Sequence, residues 1–511
     1  MKKALFIITT IALYFSSFAQ EPVDALKFSW NVPGGSARTK AVGGAMGSLG
    51  GDITSTFVNP AGLAFYKTGD FVLTPLYQFQ KTKSNYIGTN ADDKTNRFNW
   101  GTTGFVVGGG GNSKRNVRNV SFSMAMNRAA DFNSDVLYRG ANNKSSFSQK
   151  FVDQLNNSHI TNVNQAVNNF TNGASLLFNT YWVDTAGSVG NFVTNAPVSS
   201  GLLQQYTAKT RGGINEYAFG LAANFNDKLM IGGSVGIPVL NYRRETEFLE
   251  ADATTNPNNK FNYGIFAENL RTKGVGFNAK LGLIYKPAEY WRVGLAIHSP
   301  TFYTLTDTYY EDVTLNDDVA DDQSWHDHSK SYNNDQANTF KYDLMTPFKA
   351  IGSISFVIRE IEDVTKQRGF LTADVEYVNY KASSFTPFDE ANTAQSDIDY
   401  LKNLNKAIDN AYKGTFNFRA GGELKFTTIM FRLGAAYYGN PYKDINGEKG
   451  SKLNLSGGLG YRNKGVFVDL TYVHSINKDV QFGYRVASVP YYGANIKNTT
   501  GNVLLTVGFK I

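Results

Sequence analysis

Segments that alternate apolar and polar residues, joined in turn by very short turns and by long polar loops, constrain this fold most. The short links are Gly111–Ser113, Asn226–Lys228, Lys286–Ala288, Thr427–Thr428 and Asn463–Gly465. The largest of the long links runs roughly from Arg128 to Arg211. Segments of about ten residues with loops of such unequal length are typical of an outer-membrane β-barrel. Only helices and closed barrels pair every backbone polar group within hydrocarbon.

The alternation predicts an all-β chain with fourteen antiparallel transmembrane strands at residues 69–511. The first predicted strand runs from Asp70 to Lys81, and the last ends the chain with Val503, Leu505, Val507, Phe509 and Ile511. An even number is what a single-chain bacterial barrel requires. A soluble β-sandwich is the alternative, but it does not explain why charged residues keep to one parity of the strands. We therefore expect a multi-pass barrel in the outer membrane.

Residues 1–19 read as a secretory signal peptide. Lys2 and Lys3 precede an apolar run from Ala4 to Phe15, and small residues, Ser17 and Ala19, stand at a cleavage site. A membrane anchor is the alternative, but the apolar run is too short to span a bilayer. The absence of cysteine fits an exported chain that avoids disulfide chemistry.

The composition agrees with a barrel and excludes a nucleic-acid partner. The chain contains 29 tyrosines, 37 phenylalanines and 49 glycines, a composition that suits a sheet-rich chain with aromatic girdles. The mean hydropathy is −0.31, because half of each strand faces a polar interior. The net charge of +7 is dispersed along the chain, without the basic patch that nucleic-acid binding requires.

Six charged residues share the inward parity of the predicted strands. They are Asp374, Glu376, Arg419, Glu423, Arg432 and Asp469. Because neighbouring strands run in opposite directions, Glu376 is expected near Arg419 and Arg432 near Glu423. The sequence predicts a ladder of ion pairs that braces the inner wall; a ligand-binding role for either arginine is the alternative.

The glycine-rich stretch before the first strand carries a family resemblance. It contains Gly43, Gly44, Gly47, Gly50 and Gly51, followed by Asn59, Pro60, Ala61 and Gly62. Repeated glycines allow close backbone approach, which suits a compact plug in a lumen. This segment, with the Asn-Pro-Ala-Gly motif just before a fourteen-strand pattern, resembles the amino-terminal hatch of the FadL/TodX family of outer-membrane transporters for hydrophobic compounds.

The resemblance implies how such a chain is organised and used. Residues 20–68 would form a hatch inside a monomeric barrel, and helical extracellular loops would capture a hydrophobic ligand such as a long-chain fatty acid. Hatch movement would then release the ligand through a lateral gap where the third strand kinks. In this chain the third strand has no Gly or Pro from Val117 to Phe132, although its alternation lapses at Ala129 and Ala130. The apolar last strand is what the barrel-assembly machinery would be expected to read.

The longest loop contains an apolar stretch with Leu176, Leu177, Phe178, Tyr181 and Trp182. If exposed, such a patch suggests capture of a hydrophobic ligand. The alternative is that these residues pack together and close the extracellular end of the barrel. Nearby, Phe147, Phe151 and Leu155 recur at helical spacing, as do Ile398, Leu401, Leu404 and Ile408 in a later loop.

Other chemistry is sparse, and we expect no enzyme, cofactor or metal centre. The loop with Asp317, Asp318, Asp321, Asp322, His326 and His328 has possible cation ligands, but a solvated acidic loop is the favoured interpretation. The sequence favours passive uptake of hydrophobic solutes, with outer-membrane lipid around the wall. The alternatives are a structural or adhesive surface barrel with a static plug and, less favoured, a barrel acyl hydrolase.

Overall fold

The computed structural model describes residues 21–30, 34–110, 116–254, 259–317, 323–358, 368–443, 450–486 and 488–510. The expected signal peptide, the turn at 111–113, the loop residues Asp318, Asp321 and Asp322, and the terminal Ile511 lie outside these ranges.

Strands make up most of the described chain. They are β1 Asp70–Leu73, β2 Pro75–Tyr86, β3 Thr89–Trp100, β4 Thr103–Gly110, β5 Val117–Asp131, β6 Ser134–Asn142, β7 Val183–Thr185, β8 Phe192–Thr194, β9 Leu202–Phe225, β10 Leu229–Asp252, β11 Tyr263–Ala288, β12 Trp291–His298, β13 Phe302–Asn316, β14 Ser324–His328, β15 Asn338–Met345, β16 Lys349–Ile358, β17 Gly369–Asn379, β18 Ser384–Pro387, β19 Gly414–Phe426, β20 Ile429–Tyr438, β21 Ser451–Asn463, β22 Val466–Gln481 and β23 Ala494–Lys510.

The described helices are short, except for the last. They are α1 Pro22–Ser29, α2 Ala37–Ala41, α3 Ser55–Val58, α4 Gln149–Asn157, α5 Val163–Asn168, α6 Ala174–Asn179 and α7 Gln395–Ala411, with 3-10 helices at Pro60–Phe65, Ser329–Tyr332, Tyr380–Ala382 and Glu390–Asn392. None of the helices in the described part of the chain combines the length and the apolar character needed to cross a bilayer.

The strands close into a fourteen-stranded antiparallel barrel, as predicted. Six barrel strands are interrupted once and consist of the segment pairs β1–β2, β3–β4, β5–β6, β12–β13, β15–β16 and β17–β18. The last strand completes the ring against the first, with Phe509 opposite Phe71 and Val503 opposite Tyr77. Short turns impose this order: Asn226 and Asp227 both adopt positive φ (52° and 54°), the geometry of a tight hairpin turn.

Apolar side chains form the outer face of the wall. Leu433, Leu281 and Ile297 are 74%, 69% and 62% exposed, and Leu505 and Phe509 of the last strand also point outward. In water such a surface would be unstable, whereas lipid solvates it. The closed wall and its apolar belt are those of an outer-membrane β-barrel. Strands β9, β10 and β11 have 24, 24 and 26 residues, more than a bilayer requires, so they extend beyond it.

Candidate functional site

The N-terminal segment, residues 21–66 as far as described, packs against the inner face of the barrel wall. Different parts of the segment contact different parts of the ring: the backbone of Ala37 donates to Thr506 of β23 and accepts from Thr471 of β22, both at 2.7 Å. On another side, His298 Nε2 of β12 lies 2.8 Å from the carbonyl oxygen of Val58. The segment is therefore held by side chains from several strands.

Asn59 anchors the Asn-Pro-Ala-Gly motif to the wall. Its side-chain oxygen accepts the backbone N–H of Ala61 at 3.1 Å, which caps the 3-10 helix Pro60–Phe65. Its amide nitrogen donates to the carbonyl of Gly47 at 2.5 Å and faces the carbonyls of Leu283 and Leu295 at 3.3 Å. One buried side chain thus joins two parts of the N-terminal segment to β11 and β12.

Wall glycines make room for this close approach. A Cβ atom added at Gly282 would overlap the side-chain oxygen of Asn59, and one at Gly294 would overlap the carbonyl of Gly47. The same holds for Gly434, where a Cβ atom would overlap the backbone nitrogen of Gly43. Asn59, Gly47 and Gly43 therefore lie against positions where the wall has no side chain.

The structure brings together most of the charged residues expected on the inner wall. Arg419 donates to Glu376 at 3.0 Å, and Arg432 binds Glu423 and Asp469, each at 2.6 Å. All five side chains are almost fully buried. The ion pairs therefore join β17 to β19 and link β19, β20 and β22.

A continuous ladder of ion pairs implies a cationic partner for Asp374, but its hydrogen-bond partners are of another kind. Its carboxylate accepts backbone N–H groups of Met46 and Gly47 at 3.1 Å and the hydroxyl of Ser353 at 2.5 Å. Arg38 of the N-terminal segment also enters the ladder, 3.6 Å from Glu423. The ladder consequently holds the N-terminal segment as well as the wall.

A further buried ion pair, between Lys280 and Glu216, was not predicted from the sequence. Lys280 of β11 contacts Glu216 of β9 and, at 2.6 Å, the side-chain oxygen of Asn278. The alternation along β11 was enough to place Lys280 on the inward face. The two strands are not neighbours, however, so sequence order alone did not bring Glu216 and Lys280 together.

A cavity of about 420 Å³ lies between the N-terminal segment and the wall. The segment lines it with Val23, Leu26, Lys27 and Trp30, and the wall lines it mostly with amides and hydroxyls. Other apolar groups come from Leu76, Phe132, Tyr242, Val473 and Leu504. The cavity therefore offers an apolar surface together with many hydrogen-bonding groups.

The cavity borders an interruption in the wall. Strand β5 pairs with β9 through a register shift between Arg128 and Ala130, and β6 then pairs with β9. Although all of β3 and β6 is described, the two strands form no main-chain ladder with each other. The lapse of alternation at Ala129 and Ala130 was the sequence signal for this irregularity.

Side-chain hydrogen bonds close the interruption. Thr95 of β3 donates to Asp135 of β6. Beside this contact, Gln80 of the adjacent β2 donates to the hydroxyl of Ser134 at 2.8 Å, and Asn99 of β3 donates to Asp131 at the end of β5 at 2.7 Å. Both Gln80 and Ser134 line the cavity. These few side-chain hydrogen bonds hold this part of the wall together. Elsewhere in the wall a β-ladder supplies a continuous row of backbone hydrogen bonds.

The expectation of an exposed capture patch is wrong for Leu176, Leu177 and Trp182, which are fully buried. They belong to an apolar cluster, here called the roof, formed mainly by α4, α6 and the far ends of β10, β11 and β13. Mutual packing, the alternative stated above, explains them because their helix covers other apolar side chains instead of facing water. Phe178 is half-buried, and Tyr181 is exposed beside Trp325, with ring centroids 4.8 Å apart.

One buried acid lies under the roof. The Glu250 carboxylate accepts the hydroxyl of Ser146 at 2.6 Å, the backbone N–H of Phe147 at 2.8 Å and the amide of Gln204 at 2.6 Å. Burial raises the pKa of Glu250 to about 7, in spite of these hydrogen bonds. Glu250 thereby ties the start of α4 to the wall.

The acidic loop does not assemble a metal centre within the residues described. His326 lies 3.1 Å from Asp312, and the ring centroids of His326 and His328 are 5.6 Å apart. Among the described residues, no group of three or more His, Asp or Glu side chains is arranged to hold an ion.

Comparison with known proteins supports the fold. No family model matches the chain, and no curated protein matches it. The crystal structure of the Pseudomonas putida toluene transporter TodX superposes with a TM-score of 0.50 at 12% identity, over 94% of this chain and 99% of that one. A Pseudomonas aeruginosa FadL homologue aligns with a TM-score of 0.49 at 14% identity, over 94% and 99%. The match to TodX supports, at the level of the fold alone, the resemblance inferred from the sequence.

Proposed function

We propose that this barrel is a passive channel through which hydrophobic solutes cross the outer membrane. The observation that carries the proposal is the cavity of about 420 Å³ next to the interrupted wall between β3 and β6. A solute held there would be close to the lipid without having to cross the whole barrel. The likeness to TodX, described as a toluene transporter, is in keeping with this function.

The apolar part of the cavity supplies the driving force for binding. Burying apolar ligand area is worth roughly 25 cal/mol per Å². The polar surface of the bacterium otherwise partitions poorly with such molecules, so a site of this kind lowers the barrier to entry. Long-chain fatty acids are the solutes that we propose first, because Lys27, Lys40 and Lys452 line the same cavity and would attract a carboxylate.

Residues 20–68 act in this proposal as a hatch. The segment blocks the lumen at rest, and its displacement opens the path from the extracellular side to the cavity. We further propose that the solute leaves laterally when the contacts of Gln80 with Ser134 and of Asn99 with Asp131 separate. The chain is proposed to act as a monomer after insertion by the barrel-assembly machinery.

A cysteine pair across the interruption tests lateral exit, since the natural chain has no cysteine. Gln80→Cys with Ser134→Cys, joined by a short bifunctional thiol reagent, should abolish uptake of radiolabelled oleate by cells that express the full chain. The matched control is Ser355→Cys with Thr372→Cys, whose hydroxyls lie 2.9 Å apart between laddered strands. Joining that pair should leave uptake unchanged.

The outcomes separate the alternatives. Normal uptake by the joined Gln80 and Ser134 variant would rule out lateral exit at this place. No difference between cells with and without the protein, for both radiolabelled oleate and radiolabelled toluene, would favour a structural barrel with a static plug. Uptake of toluene but not of oleate would replace fatty acids by uncharged hydrocarbons as the solute class.

A further inference from the structure

Five outward-facing lysines form a cluster on four adjacent strand segments. This lysine cluster consists of Lys81 and Lys83 on β2, Lys94 on β3, Lys478 on β22 and Lys497 on β23. In the register of the sheet, Lys497 stands opposite both Lys83 and Lys478, and Lys81 stands opposite Lys94. Directly opposite residues have Cβ atoms roughly 4.5–5.5 Å apart, so like charges are forced together.

The protein itself neutralises little of this charge. Asp92 of β3 binds Lys81 at 3.0 Å and stands opposite Lys83. Among the described residues no carboxylate forms an ion pair with Lys83, Lys478 or Lys497, although all three are exposed. Like charges directly opposite each other destabilise a sheet. A row of three is therefore best explained by an anion from outside the chain.

An arginine row on the far side of the interruption shows the contrast. Arg243 stands opposite Arg211 and Arg271. There, however, Arg243 pairs with Glu245 at 2.5 Å and Arg211 pairs with Asp135. That row carries counter-charges from Glu245 and Asp135, whereas in the described part of the chain the lysine cluster has a single ion-paired acid, Asp92.

The position of the lysine cluster selects the kind of anion. Along β2 the outward residues Tyr77 and Phe79 come directly before Lys81, and along β22 Tyr472 comes six residues before Lys478. The rings of Phe79 and Tyr472 stack with centroids 6.2 Å apart. Outward aromatic side chains mark the level of the lipid headgroups. The lysines thus continue the lipid-facing surface on the side of the long loops, where phosphates of the outer leaflet lie.

We propose that the lysine cluster binds the phosphate groups of an anionic lipid in the outer leaflet. Ammonium groups act as point charges for phosphate, and several on one face can bind one headgroup that carries more than one phosphate. The bound lipid supplies the counter-charge that the strands lack. Its acyl chains lie against the apolar belt below the cluster. The site is on the outer wall and is independent of any solute path through the lumen.

A charge-removal variant of the full chain tests the site. Lys83, Lys478 and Lys497 are replaced together by Gln, and the protein is purified in an uncharged detergent. Binding of lipid A with two phosphates, and of the same lipid without phosphates, is measured by thermophoresis at low salt. Each lysine near an anionic lipid surface contributes roughly a factor of five, so the variant should bind the phosphorylated lipid on the order of 100-fold more weakly.

Two comparisons make the result specific. Replacing Lys381, Lys402 and Lys406 by Gln removes the same charge from an extracellular loop region and should leave lipid binding unchanged. The wild-type protein should bind the unphosphorylated lipid as weakly as the cluster variant does, and added salt should weaken only phosphate-dependent binding. Retained heat-modifiable gel mobility verifies that each variant is folded.

Three results would overturn the proposal. Wild-type affinity in the cluster variant would show that these lysines bind no lipid phosphate. An equal loss in the loop variant would reduce the effect to net charge. Full competition by inorganic phosphate at the same phosphate concentration would reassign the cluster to a free anion.

Discussion

Protonation of Glu250 is expected to control how firmly the roof is held to the barrel. The side chain is fully buried, and burial raises its pKa from 4.5 to about 7. Tyr484 is one of the titratable groups that interact with it; the pKa of this tyrosine is raised to about 12, so it stays neutral over the range of interest. An acid with a raised pKa binds its proton more tightly in the closed structure than in an opened one. Its stabilising effect is therefore complete below pH 4.5 and is lost as the pH rises through about 7.

The size of the effect follows from the two pKa values. One pKa unit corresponds to about 1.4 kcal/mol, so the whole shift is worth about 3 kcal/mol. If Glu250 regains its ordinary pKa when the roof opens, the free energy of opening falls by about 2 kcal/mol between about pH 5.5 and pH 8. This corresponds to a roughly 30-fold larger opened fraction at the higher pH.

Hydrogen exchange at the start of α4 measures this opening. The Phe147 amide donates directly to Glu250, so peptides that contain it report the contact. After correction for the intrinsic pH dependence of exchange, protection in the wild type should fall roughly 30-fold from about pH 5.5 to pH 8. Glu250→Gln keeps a side-chain oxygen as acceptor and should show the same protection at both values. If protection from exchange depended on pH equally in the two proteins, the assignment to Glu250 would be refuted. Protection in the wild type that did not change with pH would refute it as well.

Further predictions concern the wall, the N-terminal segment and the roof. Arg432→Met should lower the free energy of unfolding in urea by about 3–5 kcal/mol, because it leaves the buried Asp469 carboxylate without its ion-pair partner and Glu423 with only Arg38, 3.6 Å away; a change under about 1 kcal/mol would contradict a structural role for the ladder. Gly282→Ala should displace Asn59 and raise ion conductance in planar bilayers, whereas Gly352→Ala, where a Cβ atom meets nothing within 4 Å, should not; equal conductance would contradict the hatch. Leu177→Ala should cost about 2–5 kcal/mol and speed hydrogen exchange in the roof, and unchanged exchange there would mean that the roof packs loosely.

The inner-wall charges show how far sequence reasoning reaches in a barrel. Short turns fix which strands are neighbours, and a period of two fixes which side chains face inward. These two rules were enough to expect Glu376 beside Arg419 and Glu423 beside Arg432. They were not enough for Asp374, whose partners come from the N-terminal segment, or for Lys280, whose partner Glu216 is not on an adjacent strand.

The loop residues show where such reasoning stops. Leu176 and Trp182 are apolar whether they form an exposed patch or a packed roof, and only the three-dimensional arrangement decides between the two. The same is true of the glycines in the wall. In the sequence Gly282 is one small residue among many, and only the structure shows the side chain of Asn59 packed against it.

The sequence by itself determined the barrel, its inward and outward faces, its closure by the last strand and the neighbours within its wall. Each of these depends on local alternation and on turns of a few residues, which leave their pattern in the chain. Only the tertiary structure decided where Asn59 sits against the wall, what the loop covers and how Gln80 and Ser134 bridge the interrupted ladder. Those contacts join residues far apart in sequence, and their geometry follows from packing, which no local period records.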